Sequence, residues 1–177
     1  DKFVLFLGTL EPRKNIEGLI EAYNLLRIKN EELRIYKLVV AGGRGWKGKN
    51  IYEAWKKSLF KDDIIFTGYV DREDKVYLYN LASLFVYPSF YEGFGFPPLE
   101  ATACGVPVII SATSSLPEIA GDAGIMVDPC NITDIARAIE QALSDEELRN
   151  NLIERGLEMV KQFSWKKTAR EYLDLWR

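Results

Sequence analysis

Short apolar runs alternate with longer amphipathic stretches along most of the chain. Continuous runs of Val, Ile, Leu and Phe predict strands over 3–8, 36–42, 64–68, 84–87, 108–110 and 124–127. Each run is unbroken rather than alternating, the pattern of a strand covered on both faces. Between the runs, apolar positions recur at helical spacing. Ile16, Leu19, Ile20, Tyr23 and Leu26 share one face of a helix over 16–28, and another helix over 74–81 follows Asp71 as its N-cap. This repeated strand and helix order predicts an α/β fold, a Rossmann-like doubly wound parallel sheet.

Beyond residue 127 the pattern turns all helical, with start signals at Asn131, at Ser144 with Glu147 as a capping box, and at Ser164. Three helices over about 131–177 are expected to close the domain. No repeat, low-complexity tract or Pro/Gly/Ser linker interrupts the run, so 1–177 is read as a single domain. Open parallel sheets bind ligand in the crevice at the carboxyl ends of their strands. The loops that leave those ends are therefore the candidate sites.

The first such loop runs Gly8-Thr9-Leu10-Glu11-Pro12-Arg13-Lys14. It leaves a strand through glycine, where backbone can approach a ligand, and presents two cations suited to charge-assisted bonds with phosphate. A solvated Arg-Lys pair ahead of a helix is the alternative. The second, Gly43-Arg44-Gly45-Trp46-Lys47-Gly48, has G-x-G-x-x-G spacing, as in dinucleotide-binding turns. No acidic residue ends the next strand to take a ribose, and Asp62 and Asp63 precede that strand, so a flexible glycine loop is the preferred reading.

The third loop, Tyr87-Pro88-Ser89-Phe90-Tyr91-Glu92-Gly93-Phe94-Gly95-Phe96-Pro97-Pro98-Leu99-Glu100, is the richest. Proline suits a first helical turn, so a helix is expected to start near Pro97 or Pro98, its free N–H groups forming an anion site beside the glycines. Glu100 is placed in that first turn, where the dipole favours negative charge, and ribose hydroxyls are suitable donors to it. Glu92, ahead of the glycines, is free to reach a sugar hydroxyl; an exposed loop acid is its plainer reading.

Composition removes several classes. A chain of 177 residues, 47% hydrophobic and 28% charged, has the size of one domain with a real core. Its net charge of −3 gives no basic stripe for nucleic acid. Cys104 and Cys130 lack metal or redox spacing, which fits a reduced, cytoplasmic setting. No apolar run approaches the roughly 18 residues that span a bilayer. The chain opens at Asp1 directly into a strand, and is read as a piece of a longer protein. Residues 46–61 carry Lys47, Lys49, Lys56, Lys57 and Lys61 among Ile51, Trp55, Leu59 and Phe60. Apolar residues packed on the sheet beneath solvated lysines is the favoured reading; a membrane-surface helix and contact with another domain are the alternatives.

Glu92 and Glu100, with seven residues between them in Pro-Ser-Phe-Tyr-Glu-Gly-Phe-Gly-Phe-Pro-Pro-Leu-Glu-Ala, resemble the Glu-x7-Glu motif of retaining GT-B glycosyltransferases of group 1. Gly8-Thr9-Leu10 through Lys14-Asn15, Phe66-Thr67-Gly68-Tyr69-Val70, Ala103-Cys104-Gly105-Val106-Pro107-Val108, Leu116-Pro117-Glu118 and Asp128-Pro129 agree in order and spacing. The resemblance implies the carboxy-terminal half of that fold, binding a nucleotide-sugar donor. It implies that Arg13 and Lys14 neutralise the leaving diphosphate and that Glu92 and the backbone of Gly93, Phe94, Gly95 and Phe96 hold the sugar. Glu100 then binds the ribose and the backbone of Gly68, Tyr69 and Val70 faces the base, with Gly8, Thr9 and Leu99 also among the donor-binding residues. Many members carry Arg where Thr9 stands, which puts more weight on Arg13.

The reaction implied is hexosyl transfer with retention, mannosyl from GDP-mannose being one candidate. No cofactor is expected, and no metal, since no Asp-x-Asp pair appears. The acceptor, a glycan or lipid-linked one, belongs to an amino-terminal domain absent from this chain, and the protein is placed in the cytoplasm, with a peripheral position at the inner membrane face as an alternative. A NAD-type domain built on residues 43–48 and a non-catalytic nucleotide-sensing module are the competing readings.

Overall fold

The computed structural model describes residues 2–176. Six strands form one sheet in the order β3-β2-β1-β4-β5-β6, namely β1 (Lys2–Leu7), β2 (Tyr36–Ala41), β3 (Ile64–Gly68), β4 (Leu84–Tyr87), β5 (Val108–Ser111) and β6 (Gly124–Val127). Every pairing is parallel. The predicted strands stand within a residue or so of these bounds. The central strands are buried on both faces, which is why their sequences read as unbroken apolar runs.

Helices α1 (Ile16–Lys29), α2 (Lys49–Lys57) and α3 (Arg72–Leu81) follow the first three strands, and α4 (Phe96–Ala103) and α5 (Leu116–Ala120) follow β4 and β5. Helices α6 (Ile132–Ser144), α7 (Glu146–Met159) and α8 (Trp165–Leu175) close the chain. α1 packs between α2 and α6 on one side of the sheet, while α4 packs against α3, α5 and α7 on the other. α8 buries none of its residues.

Four helix starts carry the capping bonds that their sequences advertise or differ in an instructive way. Asn131 Oδ1 accepts from the Asp134 N–H at 3.1 Å, and Ser164 Oγ accepts from Lys167 at 3.4 Å. Ser144 is not a cap: α6 runs through it, and Asp145 caps α7 by accepting from Leu148 N–H at 2.9 Å. A carboxylate one residue later satisfies the same orphan donors and leaves no role for the Ser144–Glu147 box. Asp71 occupies the N-cap position of α3, but its side chain makes no capping bond.

The strand order reverses between β1 and β4, so their carboxyl ends, at Gly8 and Tyr87, flank the topological switch point. Gly42 lets the ends of β1 and β2 approach there: its φ is +139°, and a Cβ on it would lie 2.0 Å from the Gly8 carbonyl oxygen. No helix among the described residues is long and apolar enough to cross a membrane.

Candidate functional site

The first loop folds Pro12–Lys14 into a single 3-10 turn that ends at Asn15 in the left-handed conformation, φ 55°. Asn15 Nδ2 donates to the Pro129 carbonyl at 2.7 Å, which pins the turn against the far end of the sheet. The turn buries Lys14 to 5% exposure and sends its ammonium to the switch point. There it donates to Glu92 Oε1 at 2.6 Å and to the Tyr87 hydroxyl. Arg13 Nη1 donates to Glu92 Oε2 at 2.9 Å and to the Tyr91 carbonyl at 3.1 Å, and Arg13 Nε to Glu11 at 3.0 Å.

Two cations from one loop thus share the carboxylate of another, 78 and 79 residues later. Glu92 is therefore not an exposed loop acid: it is 8% exposed and bridges both cations. Burial alone would raise its carboxyl, but the hydrogen bond and charge of Lys14, helped by Arg13, hold it below the usual carboxylate range. Burial pushes the Lys14 ammonium down, and the Glu92 contact offsets only part of this. Burial, reinforced by the Glu92 charge, pushes the Tyr87 hydroxyl well up, so it stays protonated beside the ion pair. The Tyr87 ring is fixed between Phe6 and Phe85, at centroid distances of 5.5 and 5.8 Å.

A crevice of about 530 Å³ opens over this group. Gly8, Thr9, Lys14, Tyr69, Val70, Glu92, Gly93, Phe94, Gly95 and Phe96 line it, all named from the sequence. Lys75, on α3, lines it as well and was not anticipated, although it sits one turn into the helix that follows the 68–70 loop. Arg13, Gly68, Leu99 and Glu100 are not part of the lining. Arg13 nevertheless belongs to the cation group through Glu92, whereas Glu100 lies apart and accepts from the Tyr79 hydroxyl at 2.9 Å.

The glycine loop departs from expectation in its donors. α4 begins at Phe96 with Gly95 as N-cap, φ +116°, so Pro97 and Pro98 occupy positions whose N–H groups an ordinary helix would offer to an anion. The anion site is shifted into the loop: the N–H groups of Gly93, Phe94, Gly95 and Phe96 donate to no acceptor among the described residues. Glu100 accordingly falls beyond the first turn, which contains no acidic residue, and the dipole argument for its charge does not apply.

Hydroxyls from the loop after β5 brace this backbone. Ser114 Oγ accepts from Glu92 N–H at 3.0 Å, and Ser115 Oγ donates to the Glu92 and Phe94 carbonyls at 3.1 and 2.7 Å. Sequence reasoning missed them. The signal was a hydroxyl-rich Ser111-Ala112-Thr113-Ser114-Ser115 at a strand's carboxyl end. A Cβ on Gly93 would meet nothing within 4 Å, so packing within the fold does not require glycine there.

The loop at 43–48 serves packing. A helix does follow it at Lys49, but a Cβ on Gly45 would lie 2.6 Å from Glu11 Cγ, 2.7 Å from Thr9 Cγ2 and 2.9 Å from the Leu10 carbonyl. Gly45 N–H donates to that carbonyl at 3.2 Å and Leu10 N–H to Gly43 at 3.0 Å, so the loop is pinned against the first loop, with Gly43 alone of its glycines lining the crevice. Asp63 is taken by Arg27 at 2.6 Å. Among the described residues, no group of three or more Asp, Glu, Cys or His side chains could hold a metal ion.

Residues 1–159 match the family described as "Glycosyl transferases group 1". The O-antigen chain mannosyltransferase B of Escherichia coli is 44% identical over 175 residues, 99% of this chain and 45% of that protein. A serotype-specific mannosyltransferase of Escherichia coli is 40% identical over 169 residues, 96% of this chain and 21% of that protein. The chain thus spans less than half the length of these curated relatives. A sucrose-phosphate synthase from Thermosynechococcus elongatus superposes with a TM-score of 0.87 at 30% identity, over 100% of this chain and 45% of that one. An alpha,alpha-trehalose-phosphate synthase (UDP-forming) from Burkholderia vietnamiensis, 13% identical with a TM-score of 0.85 over 98% of this chain and 45% of that one, shares the fold.

Proposed function

The chain belongs to the group 1 glycosyltransferases, and from that premise we propose that it is the donor half of a retaining enzyme that transfers a mannosyl group from GDP-mannose. The observation that carries this reading is that Lys14, with Arg13 joined to it through Glu92, stands at a crevice at the switch point beside four loop N–H groups that have no acceptor among the described residues. Such an array is suited to a diphosphate: the donors stand ready where charge develops as the sugar–phosphate bond breaks, and they need no reorganisation at that moment.

In this reading Glu92 holds the place of the diphosphate in the free protein. When donor binds, phosphate oxygens take over Lys14 and Arg13, and the released carboxylate accepts from a sugar hydroxyl. The C–O bond to the β-phosphate breaks, nucleoside diphosphate departs with the electron pair, and the acceptor hydroxyl oxygen bonds to the anomeric carbon on the face that was vacated as its proton passes to the departing phosphate. Glu100, held by the Tyr79 hydroxyl, is assigned to the ribose on the family resemblance alone, and Tyr69 and Val70 face the base. The mannosyl assignment rests on the two mannosyltransferase relatives.

A glycan or lipid-linked acceptor is held by a second domain, so this chain binds donor and transfers poorly by itself. The reaction uses no metal, Arg13 and Lys14 supplying the positive charge, and the enzyme works in the cytoplasm at the inner membrane face. Calorimetry with GDP-, UDP- and ADP-sugars in EDTA, on the parent and Glu100→Ala, tests the donor assignment. GDP-mannose binding that is indifferent to EDTA and weakened by the substitution is expected. Binding of UDP- or ADP-sugars alone would overturn the GDP-mannose assignment, and binding that appears only when divalent ions are restored would overturn metal independence.

A further inference from the structure

The fold gathers positive charge on one edge that the donor site does not use. Between residues 44 and 61 stand Arg44, Lys47, Lys49, Lys56, Lys57 and Lys61 against the single carboxylate of Glu53, in a chain whose 23 cations are outnumbered by 26 carboxylates. All six are exposed. Among the described residues only Lys49 has an ion-pair partner, Glu53 at 3.6 Å; Arg44 and Lys47 lie instead over the rings of Tyr52 and Trp46, at 5.2 and 4.2 Å.

Apolar side chains stand among these cations. Trp46 is 73% and Leu59 77% exposed, while Ile51, fully buried, anchors α2 on the sheet. A groove of about 640 Å³ lies on the same edge, lined by Tyr52, Trp55 and Phe66 together with Arg44, Lys49 and Lys56. Leu10 and Gly45 form its inner end, so the groove shares with the donor crevice the wall made by the first loop.

We propose that this edge, from Arg44 through α2 to Lys61, docks on the anionic face of a lipid bilayer and orients the donor crevice there. The inference rests on the reading that the enzyme works at a membrane, and names the surface that makes the contact. Charge complementarity selects the occupant. Five cations without ion partners, on a protein that is acidic as a whole, match a surface of phosphates, while Trp46 and Leu59 are side chains that seat at the headgroup level. α2 itself stays packed on the sheet, so attachment is by lysines and two projecting residues, shallow and salt-sensitive.

Sedimentation of the chain with vesicles of phosphatidylcholine containing phosphatidylglycerol, against phosphatidylcholine alone, tests this. Binding only to the anionic vesicles, falling as salt is raised, is expected. At about fivefold per surface cation, Lys56→Glu with Lys57→Glu lowers partitioning by roughly 25-fold or more. Reversal of Lys166 and Lys167, on the exposed helix α8, leaves it unchanged. Equal binding to neutral vesicles, no binding to either, or a loss that follows the α8 reversal would overturn the proposal. GDP-mannose calorimetry on the α2 variant separates the two claims: donor affinity holds whether or not the edge docks, and its absence in the parent would count against the donor site instead.

Discussion

Replacing Glu92 by glutamine keeps the side-chain volume at the switch point and removes the charge that two cations share. The Lys14–Glu92 contact is 2.6 Å, with side-chain exposures of 7% and 8%. At that distance and an effective dielectric near 20 the gross attraction is about 6 kcal/mol, and desolvation of both ions removes several of those. Removing one partner of a buried pair costs about 3–5 kcal/mol because the other charge is stranded. The substituted amide keeps an acceptor for Lys14, so the cost falls at or just below the lower end of the range, about 2–3 kcal/mol. The Arg13 contact adds little, since 45% of that side chain is exposed.

For a domain of this length each kcal/mol moves Tm by about 2–4 °C, so Glu92→Gln should melt roughly 5–10 °C below the parent. Calorimetric melting of the parent, Glu92→Gln, Lys14→Met and the double variant closes a cycle in which the double variant loses less than the sum of the singles. Nucleoside diphosphate should restore Glu92→Gln by more degrees than it adds to the parent, because phosphate then supplies the missing negative charge. A melting point within about 1 °C of the parent, or additive single losses, would refute the reasoning that the carboxylate holds a desolvated cation pair.

The same pair fixes an acid limb. The Glu92 carboxyl is depressed below its ordinary value of 4.5, so its stabilisation is complete above that value and is lost as pH falls through the lower folded-state value; Tm measured downward from about pH 6 should fall more steeply below 4.5 for the parent than for Glu92→Gln. Gly93→Ala should shift stability by less than about 0.5 kcal/mol, its Cβ meeting no protein atom, while weakening donor binding at least about tenfold if the loop N–H groups clasp phosphate or sugar. Unchanged affinity by calorimetry would move the ligand elsewhere. Gly45→Ala should destabilise by about 1–3 kcal/mol through the Thr9 and Leu10 contacts, read by urea unfolding, and no NAD binding should accompany the parent loop; a neutral Gly45→Ala would mean that the wall is loose.

The sheet was legible in the sequence because strands buried on both faces, such as Leu38-Val39-Val40 and Phe85-Val86, leave runs that no amphipathic helix would carry. Most residues of the crevice were legible too, since each loop leaves a strand's carboxyl end, while Lys75 sits on a helix and carried no such signal. Partnerships were not. That Glu92 would be drawn to Arg13 and Lys14 depends on which strands are neighbours, a long-range fact with no local signature. The hydroxyls of Tyr87 and Tyr79 acquire roles only when Lys14 and Glu100 are brought to them. The capping box at Ser144 failed for a local reason, a better cap standing one residue on. The glycine fingerprint at 43–48 has the right spacing for a dinucleotide, and only the position of Leu10 and Glu11 behind it shows what its glycines accommodate.

The most direct test of the donor crevice is an amide NMR titration of the labelled chain with GDP-mannose in EDTA. The largest shifts are predicted at Gly93, Phe94, Gly95 and Phe96, with Gly8, Thr9, Tyr69 and Val70 following and residues 46–61 unmoved. Shifts centred on 43–48, or none at saturating ligand, would contradict the account.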